Sequence, residues 1–318
     1  MARAPASDPL RRLAALFATR TGRALRVALV GSASLLVAAA AVRQARTVVN
    51  RMPLYRLGPE AVTFVDLPAS ADERMRADLA ASTRERWPVE GARRPSLFDP
   101  ALDRRVREIL VANPMVRDVL DVDVRFPGDV RVRTTLRAPL ARFVARWPDR
   151  RGGTTTVTLP VDGDAVVLHP DTYAGFLTEH RAVIVRGVEA SCPGIGLRWA
   201  DSKDQVAEGL AAARVANRLN EEFLGLGAPK IEEVDVSGFP STPRTRMKGE
   251  VVFVLSDGRT VQWGRTERDL SGVTREDGYE TKRDRLTDLL STRSVRDRRP
   301  LDVRFPPSLR DVALRSGE

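Results

Sequence analysis

The stretch from Ser96 to Phe143 constrains the fold of this chain most, because it contains one complete supersecondary unit. Asp99-Pro100 is a helix start, since a carboxylate accepts from the free N–H groups of the first turn and proline suits the first helical position. Pro114 ends that helix because it lacks the N–H and disfavours helical backbone before it. Two segments, Val116 to Phe126 and Val130 to Ala138, then interleave apolar and charged residues on either side of a Pro-Gly turn. The stretch therefore predicts helix, strand, tight turn and strand.

The residues upstream extend this unit. Ala61 to Leu67 is rich in apolar and β-branched residues and predicts a strand. Ser70 to Glu73 is a capping box that opens an amphipathic helix holding Met75, Leu79 and Trp87. The order is thus strand, helix, helix, strand, strand. Three short strands with two helices on one face can bury a small core of their own.

Length and charge limit the functional classes. With 318 residues the chain has room for about two domains. A net charge of +10 raises the question of nucleic acid, yet only four residues are lysines and the arginines are interleaved with Asp and Glu. Because no nucleic-acid-binding motif accompanies them, we expect no nucleic-acid partner. Attraction of the N-terminal arginines to anionic lipid headgroups is the favoured use of this charge.

An apolar segment near the N-terminus predicts a membrane anchor. Ala24 to Val42 contains one charge, Arg26, placed where it can reach the interface. Such a helix is roughly 28 Å long, close to the hydrocarbon thickness of a bilayer. The small residues at Ala38 to Ala41 leave a cleaved signal peptide open as the alternative. An uncleaved anchor places Met1 to Arg23 in the cytoplasm and the large downstream part outside.

Beyond Ala138-Pro139 the pattern predicts a larger, mainly antiparallel β domain with inserted helices. A capping box at Ser202 to Gln205 opens a long helix, and a shorter helix covers Lys282 to Leu290. Asp257-Gly258 is typical of a tight hairpin turn. The predicted strands are Ala141–Trp147, Thr154–Leu168 with a turn at Asp162-Gly163-Asp164, Ala182–Val188, Ile231–Val236, Glu250–Leu255, Thr260–Trp263, Leu301–Phe305 and Asp311–Leu314.

The sequence contains little that indicates catalysis. The two histidines, His169 and His180, are spaced unlike a metal-binding helix pair, and Cys192 is the single cysteine. The Asp-Gly-Asp at 162–164 is ordinary turn chemistry. No phosphate-binding glycine loop and no G-x-S-x-G motif is present. We therefore predict no enzyme activity, no metal, no cofactor and no small-molecule substrate.

The first predicted unit resembles a POTRA domain of the FtsQ/DivIB family of bacterial division proteins. The resemblance rests on the element order and on three phrases, at Leu97–Asp99, Ala112–Val116 and Arg125–Gly128. The second half is similar to the β domain of the same family at Val161–Leu168, Ala182–Gly187, Leu255–Gly258, Gly264-Arg265 and Leu301–Phe305. Trp263, Pro306-Pro307 and the loop at Arg150–Gly153 depart from the family pattern.

This resemblance implies an α+β protein with a cytoplasmic tail at 1–23, a transmembrane helix at 24–42 and a juxtamembrane linker at 43–58. A β-α-α-β-β POTRA domain follows at 59–139, and the β domain occupies 140–318. It implies a non-enzymatic scaffold of the divisome in the inner (cytoplasmic) membrane, located at the division septum. An exported POTRA-bearing assembly protein of the outer-membrane insertion or two-partner secretion type is the alternative.

The resemblance also implies a docking edge at the C-terminus for coiled-coil division proteins of the FtsB and FtsL type. An unpaired edge strand is a template for strand addition. Pro306-Pro307 would limit the register of an added strand, and Phe305 could instead close the β core. The residues expected at the contact are Phe305, Ser308, Val312 and Leu314.

Overall fold

The structure, a computed structural model, describes residues 20–52, 55–88, 95–148, 153–180, 182–240, 250–266, 277–293 and 299–305. It is a mixed α+β protein with two sheets. The first elements are α1 (Arg20–Arg51), a 3₁₀ turn (Pro59–Ala61), β1 (Val62–Val65), α2 (Glu73–Arg86), α3 (Leu102–Val111), β2 (Val116–Arg125) and β3 (Asp129–Leu136). Next come β4 (Pro139–Pro148), β5 (Thr154–Asp162), α4 (Ala174–His180), β6 (Ile184–Arg186), α5 (Gln205–Glu222), β7 (Ile231–Asp235), β8 (Val252–Leu255), β9 (Thr260–Gln262), α6 (Tyr279–Thr292) and β10 (Leu301–Asp302).

Helix α1 is long and apolar enough to cross a membrane, by length and composition, over Val27–Asn50. The predicted anchor ends at Val42, where the first arginine of the downstream side follows. The helix continues for about two and a half further turns, because no glycine or proline interrupts Arg43 to Arg51. Side chains of the span are exposed from Val27 to Val48, and Val49 and Asn50 are half-buried.

The predicted order strand, helix, helix, strand, strand is observed, and the three strands form a sheet in the order β1-β3-β2. Asp99 acts at the start of α3 as expected, since its Oδ1 accepts from the N–H of Ala101 at 2.9 Å. The capping residue of α2 is Asp72 rather than Ser70, because Asp72 Oδ1 accepts from the N–H of Met75 at 2.7 Å. Along α3, Leu102, Val106 and Leu110 are buried and Ile109 is only half-buried.

The larger sheet has the strand order β10-β9-β8-β7-β6-β4-β5. Its β4–β5, β7–β8 and β8–β9 pairs are antiparallel, as the turn at Asp257-Gly258 predicted for β8–β9. The β4–β6, β6–β7 and β9–β10 pairs are parallel. The sheet is therefore mixed and not mainly antiparallel. Each parallel pair is joined through a connection that contains a helix, α4, α5 or α6, which returns the chain to the starting end of the sheet.

Helix α5 covers the centre of this sheet. Gly209 is where it lies closest, since a Cβ there would be 2.8 Å from Val185 Cγ1 and 3.2 Å from Phe143 Cζ. The apolar face of α5, which includes Val206, Leu210, Ala213 and Leu219, is buried. Its first turn is capped by Asp201, whose carboxylate accepts from the N–H groups of Gln205 and Val206 at 2.9 and 2.6 Å. The capping box predicted at Ser202 is thus wrong by one residue.

The chain divides into two compact units. The first unit combines Met1–Thr63, Trp87–Glu108 and Val122–Val132, and the second combines Phe64–Arg86, Ile109–Asp121 and Arg133–Glu318. Residues of the small sheet belong to both units. The two contiguous domains at 59–139 and 140–318 stay a prediction.

Candidate partner-binding edge

Strand β10 lies at one edge of the large sheet, as the last of its described strands. It runs parallel to β9 with Leu301 beside Val261 and Asp302 beside Gln262. Side chains alternate over its first three residues, because Leu301 and Val303 are fully buried whereas Asp302 is exposed. The apolar side of the strand thus fills the core and the sheet edge is presented outward.

Arg304 organises the polar side of this edge. Its guanidinium donates to both carboxylate oxygens of Asp302, at 3.0 and 2.7 Å, and to Gln262 Oε1 at 2.8 Å. The same guanidinium carbon lies 5.2 Å from the ring centre of Phe305, within the range of a cation–π contact. Alternation along the strand predicts Arg304 on the face opposite the core, but the residue is buried, because the Asp302 carboxylate and Gln262 neutralise and bond it there.

Phe305 is the one predicted contact residue that lies within the described part of the chain, and it is 45% exposed. A phenylalanine that merely closed the core would be covered, so the exposure favours a ring available to a partner. Ser308, Val312 and Leu314 lie outside the described residues, as does the predicted strand at Asp311–Leu314.

Much of the backbone of this edge is already bonded. The N–H of Val303 donates to the carbonyl of Gln262 at 3.3 Å, and Arg285 donates to the carbonyl of Val303 at 2.6 Å. The N–H of Asp277, next to α6, donates to the carbonyl of Arg304 at 3.1 Å. The expectation that the backbone from Leu301 to Phe305 stays unpaired is therefore wrong for Val303 and Arg304. An added strand would have to pair at Asp302 or beyond Phe305.

The β8–β9 turn contains a carboxylate, Asp257, with a shifted pKa. Burial alone would raise the pKa of Asp257, but hydrogen bonds from the side chain and N–H of Arg259 outweigh it and hold the pKa below its ordinary value of 3.8. Arg259 in turn donates to the carbonyl of Arg293 at the end of α6 at 3.2 Å. The charged pair thus connects the turn to the helix that borders β10.

We expect Asp257→Asn to destabilise the fold in a pH-dependent way. The ionised carboxylate contributes stability above about pH 4, and that contribution disappears as the pH falls through the depressed folded-state pKa. Urea unfolding of the full chain in detergent should show a loss of about 1–2 kcal/mol at neutral pH and a smaller loss at about pH 3. Exposed Asp288→Asn on α6 is the control. An Asp257→Asn deficit that is the same at both pH values would contradict the prediction.

The structure contains two further surfaces that the sequence did not predict as binding sites. The opposite edge of the sheet is β5, where the largely exposed stretch from Thr154 to Thr158 carries no charge. A cleft of about 530 Å³ lies elsewhere in the second unit. Its lining includes Asp164, Arg198, Trp199, Asp204, Leu210 and Arg214. The lining comes from two segments, at 163–165 and 198–214, and no local pattern indicates that these two segments meet.

The residues considered for metal or acid–base chemistry are dispersed. His169 is exposed, and Asp162 uses its Oδ1 to accept from the N–H groups of Asp164 and Val166, which is turn chemistry as predicted. Burial raises the pKa of the half-buried Cys192 thiol, with a smaller opposing effect of a hydrogen bond from Gly194. Within the described residues no group of three or more His, Cys, Asp or Glu side chains could hold a metal ion.

Comparison with known proteins does not assign the chain to a family. No protein-family model matches the chain, and no curated protein matches it.

Proposed function

We propose that this chain is a non-enzymatic bitopic scaffold of the bacterial cell-division machinery, of the FtsQ/DivIB type. Helix α1 anchors it in the cytoplasmic membrane with the residues before Ala24 inside. The two sheet-containing parts stand outside and bind other division proteins at the septum. The C-terminal edge of the large sheet binds coiled-coil membrane proteins of the FtsB and FtsL type.

The observation that carries the proposal is the order of elements along the chain. A helix able to span a membrane is followed by β1-α2-α3-β2-β3 with a sheet of its own, and then by a larger sheet whose edge is the last described strand. At that edge Phe305 has a partly exposed aromatic ring, and it lies beside the guanidinium of Arg304. Aromatic and arginine side chains are the residues most often decisive in protein interfaces.

Two measurements test the proposal. A fluorescent fusion of the full chain should concentrate at midcell in dividing cells, and uniform membrane fluorescence would exclude the division assignment. In a pull-down, Phe305→Ala should weaken capture of an FtsB- or FtsL-type partner by about 2 kcal/mol or more, because a buried interface aromatic is a typical hot spot. The control is Leu226→Ala, since Leu226 is an accessible apolar side chain after α5.

A truncation locates the edge more sharply. The chain should end after Phe305, which keeps β10 intact, because removing the fully buried Leu301 would damage the core. We expect this truncated chain to melt as the full chain does and to lose the partner. Full capture of the partner by the folded, truncated chain would remove the C-terminal residues from the site.

A further inference from the structure

The last turns of α1, from Val42 to Met52, separate apolar from polar side chains. At about 100° per residue the apolar positions fall within an arc of about 120°, and the polar positions occupy the rest of the circumference. The apolar stripe consists of Val42, Ala45, Val48, Val49 and Met52, and the polar positions are Arg43, Gln44, Arg46, Thr47, Asn50 and Arg51. Before Val42 the helix is predominantly apolar on every side. The helix therefore changes from a spanning to an amphipathic pattern without a break.

The apolar stripe is exposed, whereas the polar side makes the contact with the rest of the first unit. Val42, Val48 and Met52 are 64%, 47% and 42% exposed. On the polar side, the Ser96 hydroxyl donates to Asn50 Oδ1 at 3.0 Å. Val49 is half-buried, and the other four residues of the stripe are exposed. A stripe of this kind requires an apolar environment.

The lengths indicate that lipid supplies this environment. A bilayer core of about 30 Å takes about 20 helical residues, and α1 has 32. The remaining turns continue directly out of the hydrocarbon into the headgroup layer, so the stripe meets the lipid that surrounds the span.

The polar arc adds charge complementarity to anionic lipid. Arg43 and Arg46 lie about 60° apart on it, one turn from each other. Among the residues that the structure describes, neither has an ion-pair partner. Guanidinium groups bind phosphate through paired hydrogen bonds, and the headgroups of anionic lipids present phosphate at this level.

Two aromatic residues, Tyr55 and Phe98, lie next to the end of this segment. The N–H of Tyr55 donates to the carbonyl of Met52 at 3.2 Å, which holds Tyr55 one turn beyond the stripe. Tyr55 packs edge-to-face on Phe98 with ring centres 5.0 Å apart, and Phe98 is 41% exposed. Aromatic side chains are enriched where a membrane meets water.

We propose that Val42 to Met52 is an interfacial segment: its apolar stripe lies in lipid, and Arg43 and Arg46 bind the phosphates of anionic headgroups. The inference rests on the proposed function insofar as α1 spans the bilayer. Through the Asn50–Ser96 bond, the segment fixes the height at which Tyr55 and Phe98 stand above the hydrocarbon.

Spin-label accessibility in proteoliposomes of the full chain tests the proposal. In a Cys192→Ser background, nitroxides are placed on the stripe with Ala45→Cys and Val48→Cys, and on the polar arc with the matched controls Gln44→Cys and Thr47→Cys. We expect the ratio of oxygen to water-soluble nickel collisions to be several-fold higher on the stripe. Val37→Cys reports separately on the span.

The outcomes distinguish the two proposals. If both faces are water-accessible while position 37 reports hydrocarbon, the anchor stands and the interfacial segment is refuted. If position 37 is also in water, the anchor of the proposed function fails. The labels on the stripe could also be shielded from both oxygen and nickel and show spin–spin broadening. If mixing with unlabelled protein removes that broadening, a second copy of the chain covers the stripe in place of lipid. Shielding without broadening also overturns the lipid assignment.

The headgroup contact has its own readout. In vesicles of phosphatidylcholine mixed equally with phosphatidylglycerol, the label at Val48→Cys should lie deeper than in phosphatidylcholine alone. Replacing Arg43 and Arg46 with alanine should abolish that difference, and replacing both with lysine should retain most of it because the charge remains. A lipid-independent depth in the arginine-containing chain would overturn the assignment of the phosphates.

Discussion

Replacing Lys282 with alanine is expected to lower the free energy of unfolding by about 3–5 kcal/mol, because it removes a buried cation from a group of side chains that includes two buried carboxylates. Lys282 is fully buried on α6, and its Nζ donates to the carbonyl of Arg265 at 3.1 Å. Glu208 and Glu250 are buried as well. The Arg265 guanidinium binds Glu250 at 2.6 Å, and the N–H of Thr266 donates to Glu208 at 3.1 Å.

The four side chains of Glu208, Glu250, Arg265 and Lys282 carry two charges of each sign. Removing one cation leaves an uncompensated negative charge inside the second unit, whereas removing a cation and a carboxylate together restores neutrality. Lys282→Met combined with Glu208→Gln should therefore be less destabilised than Lys282→Met alone in urea unfolding of the full chain. Lys230→Ala, at an exposed lysine, is the control. A Lys282→Ala protein that unfolds like the parent would show that the buried charge needs no partner.

Lys282 also borders a buried aromatic group. Trp263, at which the sequence differs from the family that it resembles, is fully buried. Its ring centre lies 5.2 Å from that of Phe253 and 6.0 Å from that of Tyr279, with Lys282 Nζ at 5.5 Å. Tyr279 is the first residue of α6. The start of this helix therefore packs against the large side chain of Trp263. The hairpin predicted at Asp257-Gly258 brings Phe253 and Trp263 together, but no local pattern indicated that Tyr279 packs on them.

Local patterns predicted the elements well, because their causes are local. The turn at Asp257-Gly258 has the glycine at φ 83, as a tight hairpin requires. Caps were misplaced by one or two residues at Asp72 and Asp201, since neighbouring serines match the same pattern. The parallel pairing was missed because parallel and antiparallel strands share a period of two residues. Only the helices between the strands indicated it.

The candidate site was predictable only in part, for a related reason. Alternation predicts the buried Leu301 and Val303 and the exposed Asp302, but it fails at Arg304, which is buried, and at Phe305, which is exposed. It does not show which backbone groups are bonded, because the partners at Asp277 and Arg285 come from another element. The buried state of Arg304 likewise depends on Gln262, which is 42 positions away. Contacts over such separations have no periodic signal.

Arg137→Ala is expected to destabilise the second unit by about 3–5 kcal/mol, because Arg137 neutralises an almost fully buried carboxylate. Its Nη1 lies 2.6 Å from Asp162 Oδ2, and the Asp162 side chain is 3% exposed. The adjacent pair between Arg117 and Asp164, at 3.2 Å, is exposed on both sides. Arg117→Ala is therefore the matched control, and an exposed pair contributes at most about 1 kcal/mol.

A second substitution separates charge from packing at this site. Asp162→Asn retains an oxygen that can accept from the N–H groups of Asp164 and Val166, so Arg137→Met with Asp162→Asn should recover much of the loss caused by Arg137→Met alone. Burial raises the pKa of the nearby Tyr173 phenol above its ordinary value, the Asp162 charge raises it further, and Arg137 opposes them. Equal unfolding of the single and double variants would mean that Arg137 acts through packing and not through its charge.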